Sequence, residues 1–199
     1  MKKLIIIFFC LTSIIFFLSS NSSAANNYFI VKAGIYSPES DDLEGFDEGF
    51  NGEIAFGHYL NRNLALELGL GYFETEWSGE YCYNGYCGRE KDSIDVVPLT
   101  VALKAIYPLG QLELYGLGGI GIYFSSGEAE GYIPDIGYVS LDDDDVSLGG
   151  FLGAGLNFNI TNEVFFGVEG KYHWVEAEFE GIDVELDGWT FTGNLGFRF

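Results

Sequence analysis

The last ten residues of the chain, "TFTGNLGFRF" (190–199), alternate between apolar side chains and small or polar ones. Phe191, Leu195, Phe197 and Phe199 fall on one face of this stretch. Because successive side chains of a β-strand point to opposite faces, the stretch predicts a strand with one strongly apolar face. Chain ends usually fray in water. A strand that ends on phenylalanine therefore indicates an apolar environment and a neighbouring strand to pair with.

Seven segments upstream alternate in the same way, with aliphatic and aromatic side chains on one face and mainly Gly, Ala, Asn, Thr and Tyr on the other. These segments span residues 28–36, 51–60, 64–73, 95–107, 112–124, 148–160 and 164–174. Short connectors (61–63, 108–111 and 161–163) alternate with long ones (37–50, 74–93, 125–146 and 175–188). Strands of about ten residues, with tight turns at one rim and long loops at the other, are typical of a membrane-spanning barrel. The sequence therefore predicts an all-β fold, an eight-stranded antiparallel up-and-down transmembrane β-barrel.

The chain is strongly acidic, with 30 acidic residues against 9 lysines and arginines and a net charge of −21. This excess argues against nucleic acid as a partner, because the phosphate backbone is itself anionic. All but five of the acidic residues lie in or directly beside the four long connectors. The charge pattern therefore predicts one strongly anionic rim.

The face opposite the aliphatic one carries few charges, four acidic and four basic: Lys32, Glu53, Glu67, Lys104, Glu113, Glu169, Lys171 and Arg198. It also carries the aromatic residues Tyr59, Phe73, Tyr115 and Tyr123. Such a surface is too sparse in charge for the water-facing exterior of so acidic a chain. It suits the crowded interior of an eight-stranded barrel, where ion pairs neutralise one another. We therefore expect these eight residues to form a lumen charge network and the aliphatic face to contact lipid.

The N-terminus has the pattern of a secretory signal peptide. Lys2 and Lys3 precede an apolar run over residues 4–18, and small residues follow. The alternative, a membrane anchor, needs a longer apolar run to span about 30 Å of hydrocarbon. The sequence predicts a cleaved signal peptide at 1–24, which would remove Cys10, and one mature domain at 25–199.

Two features of the long connectors suggest sites. An exported chain meets an oxidising compartment, so Cys82 and Cys87 in "YCYNGYC" predict a disulfide; the alternative metal site would lack a nearby histidine. Asp142, Asp143, Asp144 and Asp145 form a candidate cation-binding loop, since Ca²⁺ prefers carboxylate oxygens. The alternative is a solvated acidic run, because the stretch lacks the alternating ligands and glycine of an EF-hand. We predict no dedicated metal site and no cofactor.

Three stretches resemble the small outer-membrane barrels of Gram-negative bacteria, of the OmpA transmembrane domain and OmpX kind. They are "LTVALKAIYPLGQLELYGLGGIGIYF" (99–124), "FLGAGLNFNITNEVFFGVEGKYHW" (151–174) and the terminal "GFRF". The resemblance implies an integral, monomeric outer-membrane protein that contacts outer-membrane lipids and lipopolysaccharide. It also implies that Phe197 and Phe199 are the signal read by the barrel-assembly machinery. Asn157 and Gly167 stand about where the family has charged lumen partners, so that family's network is not carried over intact.

These observations favour a structural or surface-interaction role, such as envelope integrity, adhesion or resistance to host factors, through acidic extracellular loops. Trp77, Tyr81, Tyr83 and Tyr86 are candidate contacts for an extracellular ligand, or else anchors at the membrane interface. Two alternatives remain. A lipid A-modifying enzyme would need a nucleophile, base and orienting group, and no such set can be named around His58 or His173. The other is a narrow ion-conducting pore; an eight-stranded barrel is only wide enough for its own side chains to fill, which argues against a large diffusion channel.

Overall fold

The computed structural model describes residues 26–83, 86–133, 137–179 and 182–199. Side chains are described for these residues except at 80–83, 86–91, 129–133, 137–142 and 179. The predicted signal peptide lies outside the described residues and stays a prediction. No helix in the described part of the chain is long and apolar enough to cross a membrane.

Ten strands and one short 3₁₀ helix, Asp41–Leu43, make up the described fold. The strands are β1 (Asn27–Pro38), β2 (Gly49–Asn61), β3 (Leu64–Tyr83), β4 (Tyr86–Leu109), β5 (Leu112–Ile133), β6 (Gly137–Asn159), β7 (Val164–Trp174), β8 (Glu176–Phe179), β9 (Ile182–Glu185) and β10 (Gly188–Arg198). Eight of them form a closed barrel in the order β1-β10-β7-β6-β5-β4-β3-β2. This confirms the predicted eight-stranded antiparallel barrel. The short strands β8 and β9 form a separate two-stranded sheet within the last long connector.

The barrel closes where the C-terminal strand meets the first strand. β10 pairs antiparallel with β1, with Val31 opposite Leu195 and Phe29 opposite Phe197. The backbone N–H of Phe199 donates to the carbonyl of Asn27 at 2.9 Å, so the pairing reaches the last residue. Closure leaves no unpaired strand edge within the ring. The C-terminal strand is therefore held along its whole length.

The three short connectors are turns at one end of the barrel, as predicted. Gly110, in the turn between β4 and β5, has φ of +73°, which side-chain-bearing residues rarely adopt. We call this end the short-turn end and the opposite one the long-connector end.

The prediction that the long connectors are loops was wrong for two of them. β3 and β4 stay paired to Tyr83 and Tyr86, and β5 and β6 stay paired to Ile133 and Gly137, so the described parts of residues 74–93 and 125–146 are paired strands continuous with the barrel. β4 and β5 also stay paired as far as Lys91 and Glu130. A strand that leaves the membrane no longer needs an apolar face, while its backbone hydrogen bonds still form. The hydrophobic alternation in the sequence therefore ends several residues before the strands end.

The two faces of the barrel wall differ as the alternation predicts. Lys32, Ala65 and Ala102 point inward and are buried, whereas Val31, Leu66 and Val101 on the same strands are 40–46% exposed on the outside. Exposed aliphatic and aromatic side chains cover the outer wall on every barrel strand. A contiguous apolar surface of this extent marks a membrane-contacting region.

Candidate functional site

Lys32 is the centre of a charge cluster in the middle of the barrel, and its side chain is fully buried. Its Nζ lies 2.8 Å from Glu53 Oε1, 2.8 Å from Glu67 Oε1 and 2.9 Å from Glu169 Oε1. Each side chain sits at an inward position of its strand, so four strands contribute to one contact.

Two further lysines complete this central charge cluster, which we define as Lys32, Glu53, Glu67, Lys104, Glu169 and Lys171. Lys104 Nζ lies 3.1 Å from Glu67 Oε2. Lys171 Nζ contacts Glu53 and lies 3.5 Å from Glu169 Oε1. Three positive and three negative charges therefore meet in one cluster. This balance matters because an uncompensated buried charge is strongly destabilising.

Two tyrosines hydrogen-bond to the carboxylates of the cluster. Tyr28 donates its hydroxyl to Glu67 Oε2 at 2.6 Å, and Tyr115 donates to Glu169 Oε2 at 2.9 Å. The ammonium of Lys104 also lies 3.9 Å from the ring centroid of Tyr115, a cation–π contact. Tyr115 was predicted only as an aromatic residue of the lumen face, and Tyr28 was not predicted to contact the charges. The signal for both was an inward position beside carboxylates whose remaining lone pairs need donors.

The other two predicted lumen charges form a separate pair near the short-turn end. Arg198 Nη2 lies 2.7 Å from Glu113 Oε2. Its Nη1 donates to Asn159 Oδ1 at 2.8 Å and its Nε donates to the Tyr59 hydroxyl at 2.9 Å. The guanidinium also packs 4.4 Å from the centroid of the Phe165 ring. The eight charges thus form two groups, of six and two, rather than one continuous network.

Apolar side chains fill the barrel between these two groups. Tyr28, Ile30, Ile106, Leu117 and Phe165 belong to one buried cluster there. An eight-stranded barrel is just wide enough for its side chains to fill it.

The long-connector end is closed by a cap formed from the first and last connectors. Leu43, Val175 and Leu186 are buried against Phe73 and Tyr123 of the barrel wall. We call these three connector residues, with Phe46, Ala177 and Val184, the outer cap. The described interior is therefore filled at several levels, which agrees with the expectation of a narrow lumen.

Hydrogen bonds hold the outer cap in place. The Tyr36 hydroxyl donates to the Leu186 carbonyl at 2.9 Å. Asp187 Oδ1 accepts from the backbone N–H of Val175 at 2.8 Å, and Asp42 Oδ2 accepts from that of Glu185 at 2.9 Å. Carboxylates thus satisfy backbone donors that have no strand partner in these connectors.

The histidines do not assemble a catalytic set. His173 is buried beneath the outer cap, where its Nδ1 lies 3.0 Å from the Tyr123 hydroxyl and its Nε2 lies 3.3 Å from Thr190 Oγ1. Both ring nitrogens are thereby occupied without a carboxylate. His58 faces outward at the short-turn end and contacts Asn27 through Nδ1.

Nearly the whole chain corresponds to one known domain family. Residues 8–199 match the family described as outer membrane protein beta-barrel domain. The chain belongs to this family. It is therefore an integral β-barrel of the Gram-negative outer membrane, as predicted.

Several solved outer-membrane barrels have similar structures. Neisserial surface protein A, from Neisseria, is 14% identical, with a TM-score of 0.58 over 89% of this chain and 100% of that chain. OprG from Pseudomonas aeruginosa is 16% identical, with a TM-score of 0.52 over 88% of this chain and 97% of that chain. The outer membrane protease OmpT from Escherichia coli is 11% identical, with a TM-score of 0.48 over 92% and 100% of the two chains. The TM-scores of 0.58 and 0.52 show a fold shared with the first two proteins, and a shared fold alone does not decide function. Among curated protein sequences, none matches the chain significantly.

In an outer-membrane barrel the short turns face the periplasm and the long connectors face outward. Aromatic side chains gather on the outer wall at the extracellular rim of this one. Trp189 packs 5.1 Å from Tyr172 and 5.8 Å from Phe191, measured between ring centroids, and its indole N–H donates to Glu39. Tyr72 donates its hydroxyl to Asp95 at 2.6 Å. Aromatic rings with polar edges are characteristic of the membrane–water interface.

The aspartate run of this outer-membrane barrel lies in a strand, so the predicted loop at 142–145 was wrong. Asp142–Asp145 belong to β6 and pair with β5, with Asp145 opposite Ser125 and Asp142 opposite Glu128. Asp145 Oδ2 accepts the backbone N–H of Glu178 at 3.1 Å. Among the described residues, no group of three or more His, Cys, Asp or Glu side chains could hold a metal ion. Charged side chains on this part of β6 also discourage it from pairing with strands of other chains.

The predicted disulfide and aromatic contacts lie at the tip of the first long hairpin. Cys82 is directly opposite Cys87 in the β3–β4 register, a placement that suits a disulfide. Their side chains, and those of Tyr81, Tyr83 and Tyr86, lie outside the described residues, so the disulfide stays a prediction. Trp77 is half-buried, and its indole lies beside the backbone of Gly45 in the first connector.

Proposed function

We propose that this outer-membrane barrel is a structural and surface-interaction protein that acts through its acidic extracellular side, in envelope integrity, adhesion or resistance to host factors. The supporting observation is the separation of charge along the barrel. The interior groups are balanced, whereas 25 of the 30 acidic residues fall in or directly beside the four long connectors of the sequence, which contain two basic residues, Arg89 and Lys91. A field of one sign over one face attracts ions and partners of the opposite sign.

The fixed shape of the extracellular end also supports an interaction role. Long hairpins continue the barrel outward, and the outer cap ties the first connector to the last. A surface that is ordered before binding loses less conformational entropy when it meets a partner.

The proposal includes the partners that the barrel would contact. Divalent cations would bridge the extracellular carboxylates to the phosphates of lipopolysaccharide, and the outer wall would contact outer-membrane lipids. The barrel would act as a monomer, with Phe197 and Phe199 recognised by the assembly machinery during insertion. An extracellular ligand, where one binds, would carry positive charge.

The test is a neutralised variant in which six exposed extracellular carboxylates become amides: Asp41, Glu44, Glu48, Asp144, Glu176 and Glu178. Cells that carry this variant should lose binding of a polycationic probe and show altered sensitivity to divalent-cation chelation. The matched control is Glu163→Gln, which removes an exposed carboxylate on the periplasmic side. Equal probe binding by the neutralised variant and the wild type would contradict the proposal.

Two other functions make different predictions. A lipid A-modifying enzyme would change the acylation of lipid A, which mass spectrometry of cells with and without the protein would detect. A narrow pore would give discrete conductance steps in planar bilayers. We expect neither result. His173 is buried, and side chains fill the described interior of the barrel, so neither a substrate nor ions have an open path there.

A further inference from the structure

The periplasmic mouth of the barrel is a concavity of about 730 Å³ between the three short turns. Residues of the turns form its wall, and Arg198 and Glu113 line its floor. Pockets that hold small ligands measure roughly 300–1,000 Å³. We propose that this concavity, which we call the periplasmic vestibule, binds a glycan that carries N-acetyl and carboxylate groups.

Carboxamide side chains dominate the polar lining of the vestibule. Five of them contribute: Asn26, Asn61, Gln111, Asn159 and Asn162. Asn159 is already bonded to Glu113 and Arg198, so contact with a ligand falls to exposed amides such as Gln111 and Asn162. A carboxamide offers two N–H donors and one carbonyl acceptor. Such a lining can pair with the amide of an N-acetyl group and with sugar hydroxyls, each of which is both donor and acceptor. It is poorly suited to a purely apolar ligand.

The charge of the vestibule is opposite to that of the chain as a whole. Arg62 and Arg198 line it with one carboxylate, Glu113. Arg198 is fixed by its bonds to Glu113, Asn159 and Tyr59. These described bonds use three of the five N–H donors of a guanidinium group. The remaining N–H groups of Arg198 and the exposed side chain of Arg62 would donate hydrogen bonds to a carboxylate of the ligand.

Apolar side chains alternate with these polar groups around the vestibule. Leu60, Ile106, Pro108 and Ile160 line it beside the carboxamides. The C–H faces of sugar rings can pack on such patches while their hydroxyls reach the amides. A few placed polar groups on an apolar lining are typical of ligand sites.

The position of the vestibule determines which glycan can reach it. The short turns face the periplasm, and the extracellular end carries the acidic excess that would repel a carboxylate-bearing polymer. N-acetylated sugars with carboxylate-bearing side groups are the chemistry of the cell-wall glycan on that side. Binding there would attach the barrel non-covalently to the wall.

The test uses the full barrel in lipid nanodiscs, which leave both ends accessible. Muramidase-released, carboxylate-bearing wall fragments and neutral N-acetylglucosamine oligomers serve as two separate probes. NMR should show saturable shifts of the side-chain amides of Gln111 and Asn162 with both probes. An absence of saturable shifts in the wild type would overturn the proposal.

Variants separate the roles of the amides and of the arginine. Gln111→Ala/Asn162→Ala changes two exposed turn residues and should weaken binding of both probes about tenfold, the loss expected for removed hydrogen bonds. Arg62→Gln should weaken binding of the carboxylate-bearing fragments only. Asp144→Ala/Glu178→Ala, at the opposite end, is the matched control and should change neither affinity. Equal weakening in the control, or an Arg62→Gln effect on both probes alike, would overturn the assignment.

Discussion

Replacing Lys32 with methionine should destabilise the barrel strongly. The lysine ammonium lies within 2.9 Å of three carboxylates, and its side chain is fully buried. Methionine has a similar length but no charge, so the central charge cluster would keep three carboxylates and only two lysines. Removing one partner from a buried ion pair costs about 3–5 kcal/mol, because it leaves a charge without compensation.

The contacts that remain in Lys32→Met indicate which carboxylates would lose charge compensation. Glu67 would keep Lys104 and the Tyr28 hydroxyl, while Glu53 and Glu169 would share Lys171. In the double variant Lys32→Met/Glu169→Gln the cluster would be neutral again, with Glu53 beside Lys171 and Glu67 beside Lys104. The double variant should therefore be more stable than Lys32→Met alone, although each change removes a native contact.

Reversible urea unfolding in detergent micelles, followed by tryptophan fluorescence, measures the free energy of unfolding. Arg62→Met is the matched control, because it removes a cation from an exposed turn, where such changes usually cost less than about 0.5 kcal/mol. A free energy of unfolding for Lys32→Met within about 1 kcal/mol of wild type would refute the reasoning, given the 3–5 kcal/mol expected. The reasoning would also be refuted if the double variant lost as much free energy of unfolding as the two single variants together.

Three further predictions concern other parts of the barrel. Gly57→Ala should cost about 1–3 kcal/mol of unfolding free energy, because a Cβ at Gly57 would lie 1.9 Å from the Tyr28 ring. Gly193→Ala should be neutral in the same assay, because the nearest atom to a Cβ there is 3.9 Å away. Alkylation of the mature protein without reductant should leave Cys82 and Cys87 unmodified; modification of both before reduction would contradict the disulfide. Phe199→Ser should lower the amount of heat-modifiable barrel in outer membranes while leaving folding in detergent unchanged, and parallel losses in both would indicate a stability effect instead.

The barrel itself was predictable because the membrane imposes a simple pattern. Lipid on one side and a packed lumen on the other make every spanning strand alternate, as Leu66 and Glu67 do on β3. The charged lumen residues could be named for the same reason, since the few charges among small side chains had to point inward.

The parts outside the membrane were not predictable in the same way. Beyond Phe124 and Val146 the strands β5 and β6 no longer need an apolar face toward lipid, so the hydrophobic period disappears while the backbone pairing continues. The division of the charges into two groups depends on the stagger of strands around the ring. The positions of Glu113 just after the turn at 108–111 and of Arg198 at the end of the last strand place both near the short-turn end, a signal that the prediction of one network did not use. The outer cap depends on contacts between connectors more than 100 residues apart, such as Asp42 with Glu185.

One face of the barrel wall meets lipid and the other meets the lumen, and adjacent residues on one strand offer matched probes of the two. Leu66 is 40% exposed beside the buried Ala65, and Val101 is 45% exposed beside the buried Ala102. Methyl NMR of the barrel in nanodiscs that contain lipids spin-labelled on the acyl chain measures the distance of each methyl group from the hydrocarbon. We predict strong broadening of Leu66 and Val101 with little effect on Ala65 and Ala102. Equal broadening of both members of each pair, or the reverse order, would contradict the orientation of the barrel.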